Sequence, residues 1–134
     1  MFKKLDSFLN FMKKILIVED EEVLRNVLKD GFEVEGWEVT ITRDCEETVE
    51  AIKKSRPDLV LLDLVVSQKD GFETLKEIRN NPGFKTLPII VLSSLGGDDD
   101  IKKALALGAN DYFVKTQHPI SEIVKKAEQY EFRD

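Results

Sequence analysis

Ile15-Leu16-Ile17-Val18-Glu19-Asp20 is an unbroken aliphatic run closed by two acids. A continuous run of this kind suits a strand buried on both faces, as in a parallel sheet, whereas a strand with one wet face would alternate. The pattern recurs in Pro57-Asp58-Leu59-Val60-Leu61-Leu62-Asp63 and in Pro88 to Leu92, which Ser93-Ser94 follows. Working outward, strands are expected at Lys13 to Val18, Trp37 to Thr42, Asp58 to Leu62, Pro88 to Leu92 and Asp111 to Val114.

Between them lie stretches of helical period: Val23, Leu24, Val27 and Leu28; Val49 and Ile52; Phe72, Leu75 and Ile78; and a last helix through Ile123, Val124 and Ala127. One stripe of each is expected to face the sheet. Asp44 with Glu47, and Asp70 with Glu73, have the spacing of an N-cap and its third helical residue. Gly108 suits a left-handed cap after the fourth helix, and Pro119 the first turn of the fifth. Strand alternating with helix five times predicts an α/β fold with a five-stranded parallel sheet; the flavodoxin-like doubly wound arrangement, order 2-1-3-4-5, is the one expected. Residues 1–12 stand outside the repeat as an extension, with Phe2, Leu5, Leu9 and Met12 at near-helical spacing, and 13–134 form one domain. The extension reads as a short amphipathic arm or a loosely ordered lead, and it is assigned no function. No linker is expected after the fifth helix, so effects would come through contacts made by this domain.

With 134 residues, 42% of them apolar, the chain has room for a single core. A net charge of -6 argues against nucleic-acid binding through a basic face. Cys45 is the only cysteine, which excludes an intramolecular disulfide and points to a reducing cytoplasm. No apolar run approaches the ~20 residues of a membrane-spanning helix.

In an open parallel sheet, ligands bind beyond the C-terminal strand ends, where strand order reverses. Those ends carry Glu19-Asp20, Asp63, Ser93-Ser94 and Lys115. In the order 2-1-3-4-5 the first and third strands are neighbours, so Glu19, Asp20 and Asp63 converge and repel unless a hard divalent cation such as Mg²⁺ joins them. Lys115 supplies a balancing cation, and the Ser93 hydroxyl can donate to an incoming anion. An aspartate flanked by Mg²⁺ and lysine is suited to phosphoryl transfer, which needs positioning and charge neutralisation more than covalent help.

These spaced motifs resemble the receiver domains of two-component response regulators, of the stand-alone type, from Lys13 to about Phe132. Glu19-Asp20 resembles the family's acidic pair, Asp63 its phosphoacceptor, Ser93 its switch hydroxyl, Tyr112 its switch aromatic, and Lys115 its essential lysine. Asp70-Gly71 falls at the family's spacing. The resemblance implies that Asp63 is phosphorylated from a phosphohistidine on a sensor histidine kinase or phosphotransfer protein. Mg²⁺, or Mn²⁺ in its place, would be held by Asp20, Asp63 and the Val65 carbonyl, with Glu19 acting through a water. Ser93 and Lys115 would then move onto the phosphoryl oxygens and Tyr112 would turn inward. The face built by the fourth helix, fifth strand and fifth helix would meet a downstream protein. A monomeric cytoplasmic signalling protein follows, with dimerisation on phosphorylation left open. It would be no enzyme beyond its own phosphorylation and dephosphorylation.

Two positions depart from the family. Ser67 and Thr116 stand where proline is common, and a non-proline cis bond costs ~3 kcal/mol, so the loop after Lys115 is expected to follow a different path. The apolar Val65 and Leu95 predict slow autodephosphorylation. A haloacid-dehalogenase-like phosphatase would need an acid where Val65 stands, and an FMN carrier would not place Glu19-Asp20-Glu21-Glu22 at its phosphate loop. A receiver-like interaction module that works without phosphorylation is the alternative kept. His118 is expected to be a loop residue, neither base nor ligand, and Asp98-Asp99-Asp100 the acidic start of a helix.

Overall fold

The computed structural model describes residues 12–66 and 69–130. The arm up to residue 11, and Ser67, lie outside the described residues. Five parallel strands, β1 (Lys14–Val18), β2 (Glu38–Thr42), β3 (Leu59–Leu62), β4 (Ile89–Ser93) and β5 (Asp111–Val114), form one sheet in the order β2-β1-β3-β4-β5. The helices between and after them are α1 (Glu22–Val34), α2 (Thr48–Ser55), α3 (Gly71–Asn80), α4 (Asp98–Ala106) and α5 (Ile120–Glu128). This is the expected doubly wound fold.

Alternating side chains of the central strands feed two cores, one on each face of the sheet. Leu16, Val18, Val60, Leu62, Ile89 and Val91 pack with Ile52, Leu75 and Ile78 of α2 and α3. Ile15, Ile17, Leu59, Leu61, Ile90 and Leu92 pack with Leu28 and Phe32 of α1 and with Ile123 and Val124 of α5. All four residues of β3 are buried, as expected for a strand covered on both faces.

The caps are mostly where the residue types place them. Asp70 accepts from the Phe72 amide at 2.9 Å and caps α3. Asp44 accepts from the Glu47 amide at 3.0 Å, but that bond closes the turn before α2, whose first helical residue is Thr48. Gly108 has φ +113° after α4, a conformation that favours glycine. Pro119 sits just outside α5 at the N-cap, one position before the expected first turn. Asp98, Asp99 and Asp100 form the first turn of α4.

The buried stripe of α1 departs from expectation. Leu24 is half-buried and Leu28 buried, but Val23 and Val27 are exposed, and the inward face is Arg25, Leu28 and Phe32. Packing against α5 sets this rotation: a Cβ on Gly31 would touch Ile120 and Val124 side chains at 3.4 and 3.6 Å. A second departure is a short antiparallel ribbon, Val65–Val66 with Lys69–Asp70, that follows Asp63.

Candidate functional site

Strand register assembles the site. Val18 is level with Leu62, and the Asp63 amide continues the ladder by donating to the Val18 carbonyl at 3.1 Å. Glu19 and Asp63 therefore leave adjacent strands side by side. On the other flank, Ser93 is level with Val114, and the Lys115 amide donates to the Ser93 carbonyl at 2.9 Å. That register aims Lys115 back across the strand ends.

Its ammonium lies 2.8 Å from Asp63 Oδ2 and 2.9 Å from Glu19 Oε1. The first contact is a charge-assisted hydrogen bond. The second is an ion pair off the hydrogen-bond direction, which leaves Glu19 Oε1 buried without an aligned donor. Asp63 Oδ1 accepts from the Val65 amide at 3.0 Å, and Glu19 Oε2 from the Glu21 amide at 3.2 Å. Among the described residues no peptide bond is cis, and Lys115 reaches both carboxylates although Thr116 follows it.

Glu19 and Asp63 are buried, at 1% and 3% exposure, while Asp20 stands at the mouth, exposed. Burial pushes the Glu19 carboxyl up to about 7; the Asp63 charge adds to this, and Lys115 pulls against it. For Lys115, burial alone would lower the ammonium, but its bonds to Asp63 and Glu19 outweigh burial and hold it above the ordinary lysine value.

Glu19, Asp20 and Asp63 bring one carboxylate oxygen each within 4.8 Å of one another. This oxygen-only set, with one buried oxygen lacking an aligned donor, fits a hard divalent cation that keeps part of its water shell. Softer metals would want sulfur or imidazole ligands.

Beside this cluster, Ser93 is fully buried and its Oγ accepts from the Leu95 amide at 3.2 Å. Tyr112 is half-buried against the α2–α3 side of the core and donates to the Leu95 carbonyl at 2.6 Å. Burial raises its phenol above the ordinary value; the nearby Ser93 pulls against this, and the charges of Asp100 and Asp63 add to it. His118 lies in the loop after β5, its ring edge-on to Phe113 at 5.0 Å and its Nδ1 3.3 Å from Glu122 Oε1.

One contributor, Arg25, is absent from the sequence motifs, and another, Gly71, is marked there only by its spacing beyond Asp63. Arg25, 8% exposed, donates from Nη1 to the Glu19 carbonyl at 3.3 Å and the Asp20 carbonyl at 3.2 Å. Its signal was a basic residue at helical spacing from Leu28 and Phe32. Gly71 lies so close to the loop after Asp63 that a Cβ would sit 2.4 Å from Leu64 Cα, and its amide donates to the Leu64 carbonyl at 3.0 Å.

Residues 15–128 match the response regulator receiver domain family. The chain is 39% identical over 105 residues to the phosphate regulon transcriptional regulatory protein PhoB of Rhizobium meliloti, covering 78% of this chain and 46% of that protein. It thus spans less than half the length of that relative. Among solved structures, the Mn²⁺-bound form of response regulator Rcp1 superposes with a TM-score of 0.79 at 27% identity, over 91% of this chain and 99% of that one. The phosphorylated cyanobacterial phytochrome response regulator RcpA superposes with a TM-score of 0.79 at 34% identity, over 87% of this chain and 91% of that one. The chain belongs to the response regulator receiver family, whose members are signalling domains of two-component systems. No helix among the described residues is long and apolar enough to cross a membrane.

Proposed function

We propose that Asp63 accepts a phosphoryl group from a phosphohistidine on a sensor histidine kinase or a histidine phosphotransfer protein. The observation that carries this reading is the Lys115 ammonium joining Asp63 and Glu19 at 2.8 and 2.9 Å, within a set of three converging carboxylates. A carboxylate oxygen of Asp63 attacks phosphorus as the phosphorus–nitrogen bond breaks; the bond's electron pair returns to the donor imidazole, which is protonated on its other ring nitrogen and so leaves as neutral histidine, with an acyl phosphate formed here. Lys115 holds the Asp63 carboxylate in place and offers its positive charge to the arriving oxygens.

Asp20, Asp63 and the Val65 carbonyl are the residues that would hold Mg²⁺, or Mn²⁺ in its place, with Glu19 reaching it through a water. The cation supplies charge neutralisation at the phosphoryl oxygens. Solved relatives in Mn²⁺-bound and phosphorylated forms support both parts of the reading.

The Ser93 hydroxyl, one strand away, can rotate from the Leu95 amide to donate to a phosphoryl oxygen. Tyr112 shares the Leu95 segment through its hydroxyl, so a shift there changes the α4-β5-α5 face that meets a downstream protein in the cytoplasm. Intact mass after incubation with Mg²⁺ and acetyl phosphate tests the reading. One added phosphoryl mass is expected on the wild type, and none on Asp63→Asn or in EDTA. No added mass on the wild type with either acetyl phosphate or a phosphohistidine donor would replace this reading with an interaction module that works unphosphorylated.

A further inference from the structure

Arg25 is the one arginine buried among the described residues, and it lies on the inward stripe of α1, where an apolar side chain would ordinarily sit. Burying a guanidinium is costly unless its donors are used. Here Nη1 reaches the main-chain carbonyls of the two residues that carry the acidic pair, Glu19 at 3.3 Å and Asp20 at 3.2 Å. The rest of the loop is tied as well: the Glu19 amide donates to the Thr42 carbonyl at 3.1 Å and the Arg25 amide to the Glu21 carbonyl at 2.9 Å.

We infer that Arg25 is a positioning residue for the divalent-cation site, fixing the peptides of Glu19 and Asp20 so that their carboxylates converge with Asp63. The inference rests on the phosphoacceptor reading above and deepens it. A carboxylate's position follows the orientation of its own peptide, and the two carbonyls that Arg25 holds define the orientation of the peptides on either side of Asp20. Fixing those peptides lowers the cost of bringing Glu19, Asp20 and Asp63 within 4.8 Å of one another.

A structural and a positioning role differ in what they leave unchanged. Arg25→Met strips the donor from two main-chain carbonyls and lowers the unfolding midpoint, so metal affinity is compared where urea unfolding shows each variant folded, and only a positioning role changes it there. The test is Mn²⁺ titration followed by the electron paramagnetic resonance signal of the free ion, on wild type, Arg25→Met, Arg25→Gln and Arg25→Lys, with urea unfolding in EDTA alongside. Loss of a residue that orients ligands typically weakens metal binding ~10-fold or more. The expected result is a dissociation constant raised about tenfold in Arg25→Met and Arg25→Gln, with partial recovery in Arg25→Lys, which keeps the charge and a donor.

A dissociation constant within twofold of wild type in either folded neutral variant would overturn the inference. Should one neutral variant fail to fold, the other decides. Absence of Mn²⁺ binding by the wild type would instead overturn the reading of the cation site itself, and the two failures are thereby distinguished.

Discussion

Removing the Lys115 ammonium gives the most direct measure of how the site is held together. In Lys115→Met the stem remains and the charge goes, leaving Glu19 and Asp63 buried face to face. At 2.8 Å the unit-charge attraction to Asp63 is worth ~6 kcal/mol at an effective dielectric of 20, and the attraction to Glu19 at 2.9 Å is smaller at neutral pH because its carboxyl is pushed up to about 7. Desolvation of the ammonium consumes much of that, and stripping one partner from a buried pair costs about 3–5 kcal/mol net. The Lys115 side chain keeps 18% of its surface, so the lower end, ~3 kcal/mol, is expected in metal-free protein. Urea unfolding at neutral pH in EDTA reads this directly. Added Mg²⁺ should then narrow the gap between variant and wild type, because a divalent cation takes the place of the missing charge and binds the variant more tightly. A deficit under ~1 kcal/mol in EDTA, or one that Mg²⁺ leaves unchanged, would refute the account of Lys115 as the counter-ion of this cluster.

Three further outcomes are expected. Glu128 accepts from Lys13 Nζ and Trp37 Nε1, both at 2.7 Å; burial would raise its carboxyl, but these bonds outweigh it and hold it below the ordinary value of 4.5. Its contribution is therefore full above about pH 4.5 and is lost as pH falls through the lowered value, so urea midpoints of wild type and Glu128→Gln should differ at neutral pH and converge in acid. Gly71→Ala would drive a Cβ into the Leu64 backbone, 2.4 Å from its Cα, and should cost ~1–3 kcal/mol by thermal unfolding; an unchanged midpoint would count against so close an approach. Val65 is 52% exposed two residues after Asp63, and under the proposed phosphorylation Val65→Asn, which can orient a water, should shorten the phospho-Asp63 lifetime severalfold in a phosphate-release assay, whereas an unchanged lifetime would remove Val65 from control of hydrolysis.

The fold was legible because its signals are local. Aliphatic runs of four at 15–18 and 59–62 mark strands covered on both faces, and acids or hydroxyls at strand ends mark the one edge where polar groups can gather. Asp70 and Gly108 announced their helix ends because capping depends on a residue and its near neighbours. Val23 and Val27 misled for the complementary reason. Their spacing is helical and apolar, but which arc of α1 turns inward depends on α5, nearly a hundred residues away, meeting the helix at Gly31.

The sequence by itself determined the strand–helix alternation and placed Glu19, Asp20, Asp63, Ser93 and Lys115 at strand ends, each written in a short stretch of chain; Tyr112 and the sheet order came from the class the chain resembles, and pairing of distant strands decides that order. Tertiary structure alone decided that Lys115 spans to both Asp63 and Glu19 without a cis bond after it, that Glu19 is buried with its pKa displaced, and that Arg25 turns inward to hold the acidic loop. Distances, burial and charge coupling arise from segments that meet only when the sheet and its two helical layers close, and no local pattern carries them.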